Sequence, residues 1–140
     1  MANHVAVSAC PLGSFGVRRD LGLRKVRLAS WNIGSLSSKS MELVKSLCRR
    51  KISIACVQET KWVGAKAREI DGYKLWYSGS TKAKNGVAIL VVKDLVDQVV
   101  EVRRKSDRIM AIKVLVGSVF VSVVSVYASQ VGLAEETKKL

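Results

Sequence analysis

Apolar and polar positions change period repeatedly along this chain, and each change marks an element. From Val26 the run Val-Arg-Leu-Ala-Ser-Trp alternates, as a half-buried strand does, and stops at Asn32. Ile33 to Ser38 reads as a short loop. Met41, Val44, Leu47 and Cys48 then recur at helical spacing, which predicts a helix with Lys45, Arg49 and Arg50 turned outward. Ser38 suits its N-cap, and Glu42 falls in its first turn, where a carboxylate meets the positive end of the helix dipole. Ile52 to Val57 is apolar but for Ser53 and shows no alternation beyond it, as a strand covered on both faces should. Strand, helix, strand in so short a space implies a parallel pair joined by a right-handed crossover.

Beyond this unit the pattern predicts antiparallel sheet. Thr60 to Gly72 is polar and mixed, a long loop with room for one helical turn. Tyr73 to Ser78, Gly86 to Val92 and, more weakly, Gln98 to Arg103 read as strands. Arg108 to Val116 and Val119 to Tyr127 flank Gly117-Ser118, a two-residue hairpin signal. From Leu133 the sequence turns helical, with Glu135 and Glu136 early and Lys138 and Lys139 late. Pro11, Gly13, Ser14 and Gly16 deny residues 1–25 any periodicity, so they read as a disordered leader before a domain at 26–140.

Charge narrows the class of partner. The formal net charge of +13 predicts attraction to polyanions, nucleic acid first and an anionic membrane surface second. The basic residues cluster: Lys45, Arg49, Arg50 and Lys51; Lys61, Lys66 and Arg68; Arg103, Arg104, Lys105 and Arg108. A lysine-rich surface kept only for solubility is the plainer alternative. No charge-free apolar stretch reaches the ~20 residues of a membrane span. Cys10, Cys48 and Cys56 have no metal-knuckle or redox spacing, and reduced thiols fit a nuclear or cytoplasmic, intracellular location.

Chemistry concentrates where apolar runs end. Asn32 closes one strand, and its carboxamide can both accept and donate, orienting a phosphate or a metal ligand, or simply serve as a turn residue. Glu59 stands just past the largely apolar run Ile52 to Val57, and a carboxylate buried there without a partner costs several kcal/mol. A hard divalent cation would supply that partner, and so would Lys61 in a half-exposed ion pair. Tyr127 closes a valine-rich strand, with a hydroxyl able to reach a phosphoryl oxygen or to sit in water at the core edge. Asn85-Gly86 reads as a structural turn that can shape a phosphate-binding rim, and Asp107-Arg108 as a local pair. Trp31 suits the core, whereas Trp62, beside Lys61, is the better candidate for stacking on bases.

Taken as a set, Ser30-Trp31-Asn32, Gln58-Glu59-Thr60-Lys61, Asn85-Gly86-Val87-Ala88-Ile89-Leu90 and Val126-Tyr127-Ala128 resemble the amino-terminal half of the endonuclease/exonuclease/phosphatase superfamily. They are closer still to non-LTR retrotransposon endonuclease domains and to plant craniofacial-development-protein-like sequences. Asp107-Arg108-Ile109 and the segment from Ser125 to Leu133 strengthen that narrower resemblance, although Ser129 stands where such relatives usually carry proline.

The resemblance implies an α/β fold, a partial four-layer α/β sandwich (the amino-terminal half of a DNase I-like fold) whose mixed sheet is mostly antiparallel. It implies that Glu59 binds a metal, that Asn32 helps position metal and phosphate, and that Tyr127 stands near the scissile phosphate. The implied cofactor is Mg2+ or, in its place, Mn2+. The implied reaction is hydrolysis of a phosphodiester in nucleic acid, DNA ahead of RNA. The family's later aspartate, asparagine and Asp-His motifs have no match before Leu140, and His4, the single histidine, lies far along the chain from their place. A truncated domain is therefore expected, with incomplete catalytic apparatus and most of the second sheet missing. The bared sheet face, on the order of 400 Å², would cost about 10 kcal/mol if left wet, which predicts instability or self-association through an open sheet. A non-catalytic basic nucleic-acid-binding remnant of a retroelement and a relic without function are the alternative readings.

Overall fold

Ile54–Gln58 is buried at every position, and the molecule is organised around this strand. The computed structural model describes the main chain of residues 2–11 and the whole of residues 26–128. In chain order these form β1 (Ala2–Pro11), β2 (Leu28–Asn32), α1 (Ser40–Arg49), β3 (Ile54–Gln58), β4 (Ala67–Ile70) and β5 (Tyr73–Ser78). They continue with β6 (Val87–Val92), the single turn α2 (Lys93–Val96), β7 (Val99–Arg104), β8 (Ile109–Val116) and β9 (Val119–Ala128). Five strands make one sheet in the order β2-β3-β6-β5-β4. Within it β2 and β3 run parallel, with Asn32 opposite Gln58, and the other neighbours are antiparallel. The fold is thus α/β with a mixed, mostly antiparallel sheet, as the hydrophobic pattern predicts.

Both faces of β3 are covered by different layers, which explains its unbroken apolar run. On one face Ala55 and Val57 pack with Leu43, Val44 and Leu47 of α1 and with Leu75, Tyr77 and Leu90. On the other, Ile54 and Cys56 join Ile89 and Val91 against Met110, Ile112, Val114 and Val123 of a second sheet. That sheet has the order β1-β9-β8-β7, entirely antiparallel.

The second sheet corrects the expectation of a bared face. β7, β8 and β9 supply an apolar inner surface that covers the central strands β3, β6 and part of β5, while Leu28 and Ser30 on edge strand β2 stay exposed. Alternation along β8 and β9 carries this: Met110, Ile112, Val114 and Val116 point inward, as do Val119, Val123 and Tyr127. The remaining exposure lies on the outer side, where Leu115, Phe120, Val124 and Val126 are half-buried.

Residues 2–11 are also corrected. They form β1, paired with β9 over its full length from Ala2 opposite Ala128 to Pro11 opposite Val119, where the sequence reading has a disordered leader. Val5 and Val7 alternate with smaller residues, a strand-compatible stretch, and the edge of β9 offers it a row of main-chain partners. Residues 12–25, Ser129 and the helix expected from Leu133 lie outside the described residues. The pairing sets His4 opposite Val126, one register position from Tyr127, so its distance along the chain is not its distance in space.

Three local expectations change as well. Helix α1 begins at Ser40 with Lys39 at the N-cap and no side-chain cap, because Ser38 adopts a left-handed backbone with φ of 63°. Its buried stripe is Leu43, Val44 and Leu47, while Met41 and Cys48 are exposed. Both stripes satisfy a 3.6-residue period, and contact with the sheet selects the leucine side. The polar stretch after Thr60 contains strand β4, whose mixed residues suit an exposed edge. Trp31, assigned to the core from sequence, is 38% exposed on edge strand β2. Among the described residues no helix is long and apolar enough to cross a membrane.

Candidate functional site

Three strand ends meet at one rim of the sandwich. Asn32 closes β2, Glu59 follows β3 directly, and Tyr127 is the penultimate residue of β9. The Tyr127 hydroxyl donates to Glu59 Oε1 at 2.8 Å, bridging the two sheets. Asn32 Oδ1 accepts from the Gly34 N–H at 3.2 Å. Gly34 in turn lies against the Glu59 carboxylate: a Cβ built on it would stand 3.8 Å from Oε2. Glu59 and Asn32 are half-buried and Tyr127 is 9% exposed, so the cluster is partly open to solvent.

The backbone holds Glu59 in place at some cost. Its φ is +62° and that of Lys61 is +59°, both in the left-handed region that non-glycine residues avoid. Such a conformation persists where the surroundings fix it, and Thr60 between them is fully buried and tied on both sides. Its N–H donates to the Gly86 carbonyl at 3.1 Å, its carbonyl accepts from Leu36 N–H at 2.9 Å, and Lys61 N–H donates to the Asn85 carbonyl at 2.7 Å. Gly86, with φ of +95°, packs so closely that a Cβ there would collide with Thr60 Oγ1. The Asn85-Gly86 turn is therefore a wall of the Glu59 loop. Asp107 completes it, accepting from Asn85 Nδ2 at 2.9 Å through its carboxylate and from Gly86 N–H at 2.8 Å through its carbonyl.

Beneath the rim lies a polar chain, buried at Gln58 and Ser125 and exposed at Ser30, that the hydrophobic pattern does not reveal. Gln58, fully buried, donates from Nε2 to Ser125 Oγ at 3.2 Å and accepts at Oε1 from Ser30 Oγ at 3.4 Å. Ser125 Oγ also reaches the Val57 carbonyl at 3.5 Å. Ser30, Gln58 and Ser125 precede Asn32, Glu59 and Tyr127 by two, one and two residues, so the chain ties together the three strands that carry the site. A signal was present: Gln58 ends a strand buried on both faces, where a carboxamide needs partners, and alternation puts Ser30 on the face of Asn32 and Ser125 on that of Tyr127.

Electrostatics at the rim follow from these contacts. Burial raises the Tyr127 phenol above its ordinary range. The bond to Glu59 and that carboxylate's charge add to the effect, and Arg108 opposes it. Tyr127 is consequently a neutral donor at physiological pH. Deeper in, burial pushes the Cys56 thiol up to about 12, against a lowering hydrogen bond with Ser125. The ion pair with Lys61 that sequence allows for Glu59 does not form; among the described residues both ion pairs fall on Glu101. A half-buried carboxylate that forms no ion pair among the described residues, beside a carboxamide, suits a hard divalent cation that takes one or two protein carboxylates and keeps several waters. Among the described residues no three His, Cys, Asp or Glu side chains gather in one group, so Glu59 would be the principal protein ligand.

No protein-family model matches the chain. It is similar to craniofacial development protein 2 of Bos taurus, 27% identical over 103 residues that make up 72% of this chain and 17% of that protein. The protein of the same name from Tragulus javanicus is 27% identical over 88 residues, 61% of this chain and 15% of that protein. The chain thus spans less than a fifth of the length of these curated relatives. A solved structure of an AP endonuclease from Archaeoglobus fulgidus has 28% sequence identity and a TM-score of 0.47, covering 64% of this chain and 37% of that one. Strand order, the three converging strand ends and the curated relatives together fit the amino-terminal half of an endonuclease/exonuclease/phosphatase-like fold.

Proposed function

We propose that this domain is a nuclease-type module whose Glu59, Asn32 and Tyr127 form one side of a metal-assisted phosphodiester site. The observation that carries the reading is the bond from Tyr127 to Glu59 across the two sheets, which brings a carboxylate and a neutral phenol to one rim. Glu59 would hold a divalent cation, Mg2+ or Mn2+. Such a cation, when bound, supplies Lewis-acid stabilisation of charge on a phosphoryl oxygen. Asn32 would orient the phosphate without adding charge. Tyr127, kept protonated, would donate to a phosphoryl oxygen as negative charge develops there. A general base and a leaving-group donor are also required. In this reading they come from further residues of a longer protein or from a partner chain.

Nucleic acid is the proposed substrate, DNA ahead of RNA, on the strength of the basic surface. Lys61, Lys66, Lys82, Lys84, Lys105 and Arg108 are exposed on or beside the loops that frame the site. A second reading, a basic binding module without catalysis, is favoured by the same charge and by the lack, among the described residues, of any group of three His, Cys, Asp or Glu side chains.

Affinity for a short DNA duplex in Mg2+ and in EDTA separates the two. The metal-site reading expects Mg2+ to tighten binding several-fold, with the gain lost in Glu59→Gln. The binding-module reading expects affinity that falls steeply with salt and ignores EDTA. Nicking of supercoiled DNA completes the test. Equal cleavage by wild type and Glu59→Ala would remove Glu59 from any hydrolytic role.

A further inference from the structure

A guanidinium stacked on an aromatic ring stands beside the Glu59 loop, and neither reading of the site uses it. Arg68, on edge strand β4, holds its Cζ 4.5 Å from the centroid of the Trp62 ring. Trp62 meets the buried Tyr77 edge-on, with centroids 4.9 Å apart and planes at 76°. The ring is half-buried, yet its loop is fixed along its length. Gly64 N–H donates to the Ser80 carbonyl at 3.1 Å, and Gly79 N–H to the Gly64 carbonyl at 2.7 Å. The Lys66 carbonyl accepts from Tyr77 N–H at 2.9 Å and from the Arg104 guanidinium at 3.0 Å. A Cβ on Gly79 would collide with the Trp62 carbonyl, so glycine is needed for the loop to lie this close.

Arg68 is exposed, and no carboxylate among the described residues forms an ion pair with it. A guanidinium is planar and weakly hydrated, so a ring under one face leaves the other ready to accept a second flat group. Lys61 and Lys66 flank the stack on its own loop, and Lys82 and Lys84 extend from the segment hydrogen-bonded to it. The combination of a guanidinium lying over a ring on a fixed loop with surrounding ammonium groups suits a flat base carried on a phosphate backbone. Two other cation–ring contacts differ in kind. Lys74 over Trp76 at 5.2 Å and Lys113 over Phe120 at 5.9 Å present a point charge and no plane.

We propose that the Arg68–Trp62 stack is a platform for an unpaired nucleobase of a strand whose phosphates run along the Lys61–Lys66 loop toward Glu59. It deepens the nucleic-acid reading above and rests on it. The platform takes a base from a single-stranded or opened segment, because in an intact duplex both faces of each base are already stacked. Specificity is then for unpaired over paired nucleic acid rather than for a sequence, since every base has a π-face.

The test uses the whole chain in EDTA, so that no metal contributes. Three probes are titrated: a short single-stranded oligodeoxynucleotide, an abasic sugar–phosphate oligomer of equal length, and a duplex. Arg68→Lys keeps the charge at an exposed site and removes the plane; Trp62→Leu removes the ring beneath it. Wild type should prefer the base-bearing strand to the abasic one. Arg68→Lys should weaken the former roughly tenfold while leaving the latter unchanged. Equal effects of Arg68→Lys on both probes, or none on either, would overturn the platform while leaving charge-driven binding standing. Absence of binding to all three probes would overturn the nucleic-acid reading itself. Should Trp62→Leu fail to fold, Arg68→Lys decides alone.

Discussion

At the scale of single residues, the site depends on close packing that glycine permits. Gly72 and Gly86 have similar left-handed backbones, φ of +91° and +95°, but nothing lies near a Cβ on Gly72 whereas one on Gly86 meets Thr60. Gly72→Ala should therefore cost about 1 kcal/mol of backbone strain, and Gly86→Ala roughly 1–3 kcal/mol more for crowding, read from urea midpoints. Equal costs would show that the Asn85-Gly86 turn does not brace Glu59. Cysteines give a second residue-scale test. Iodoacetamide at pH 8 with peptide mapping should label exposed Cys48 readily and buried Cys56 slowly. The pH dependence follows in sign. A buried thiol whose native pKa is raised from 9.0 to about 12 binds its proton more tightly in the folded state. That contribution is complete below pH 9 and lost as pH rises toward 12. The raised phenols of Tyr73 and Tyr127 act in the same direction. Denaturation midpoints should accordingly fall through this alkaline window, and in Cys56→Ala the fall should be shallower.

At the scale of elements, what was legible in the sequence was what a single period could state. β3 reads as doubly buried because Ile54 to Val57 is apolar without a break or alternation, and β5, β6, β8 and β9 appear within a residue or two of their expected ends. The positions of Asn32, Glu59 and Tyr127 were legible for a similar reason, since each is a polar residue where a strand stops, and the structure brings them to one rim. The misses share a cause. Whether Met41 or Leu43 faces the core, whether Ala67–Ile70 pairs, and whether residues 2–11 form a strand are settled by partners distant in sequence, which no local pattern encodes. Gln58 shows the same limit, since its serine partners are 28 and 67 residues away. Gln58→Leu should keep the strand buried yet take from the buried Ser125 its carboxamide partner, leaving only the long contact to the Val57 carbonyl, at about 1–3 kcal/mol. The registry of β1 is testable by hydrogen exchange. Amides of β9 that face β1 should exchange faster than those facing β8, because β1 is an edge strand and β8 is interior.

At the scale of the whole molecule, two sheets and one helix layer close a core around β3, while charge and exposure are left to the rims and the outer face. The net charge of +13 makes any nucleic-acid affinity strongly salt-dependent, and the slope of log affinity against log salt should decrease by about one for each phosphate-contacting lysine neutralised. The most direct test of the account is Mn2+ binding by the whole chain, followed by electron paramagnetic resonance, for wild type, Glu59→Gln and Tyr127→Phe. The account expects wild type and Tyr127→Phe to bind the ion and Glu59→Gln to lose it without loss of folded structure. Equal binding by wild type and Glu59→Gln, or no binding by wild type, would contradict it.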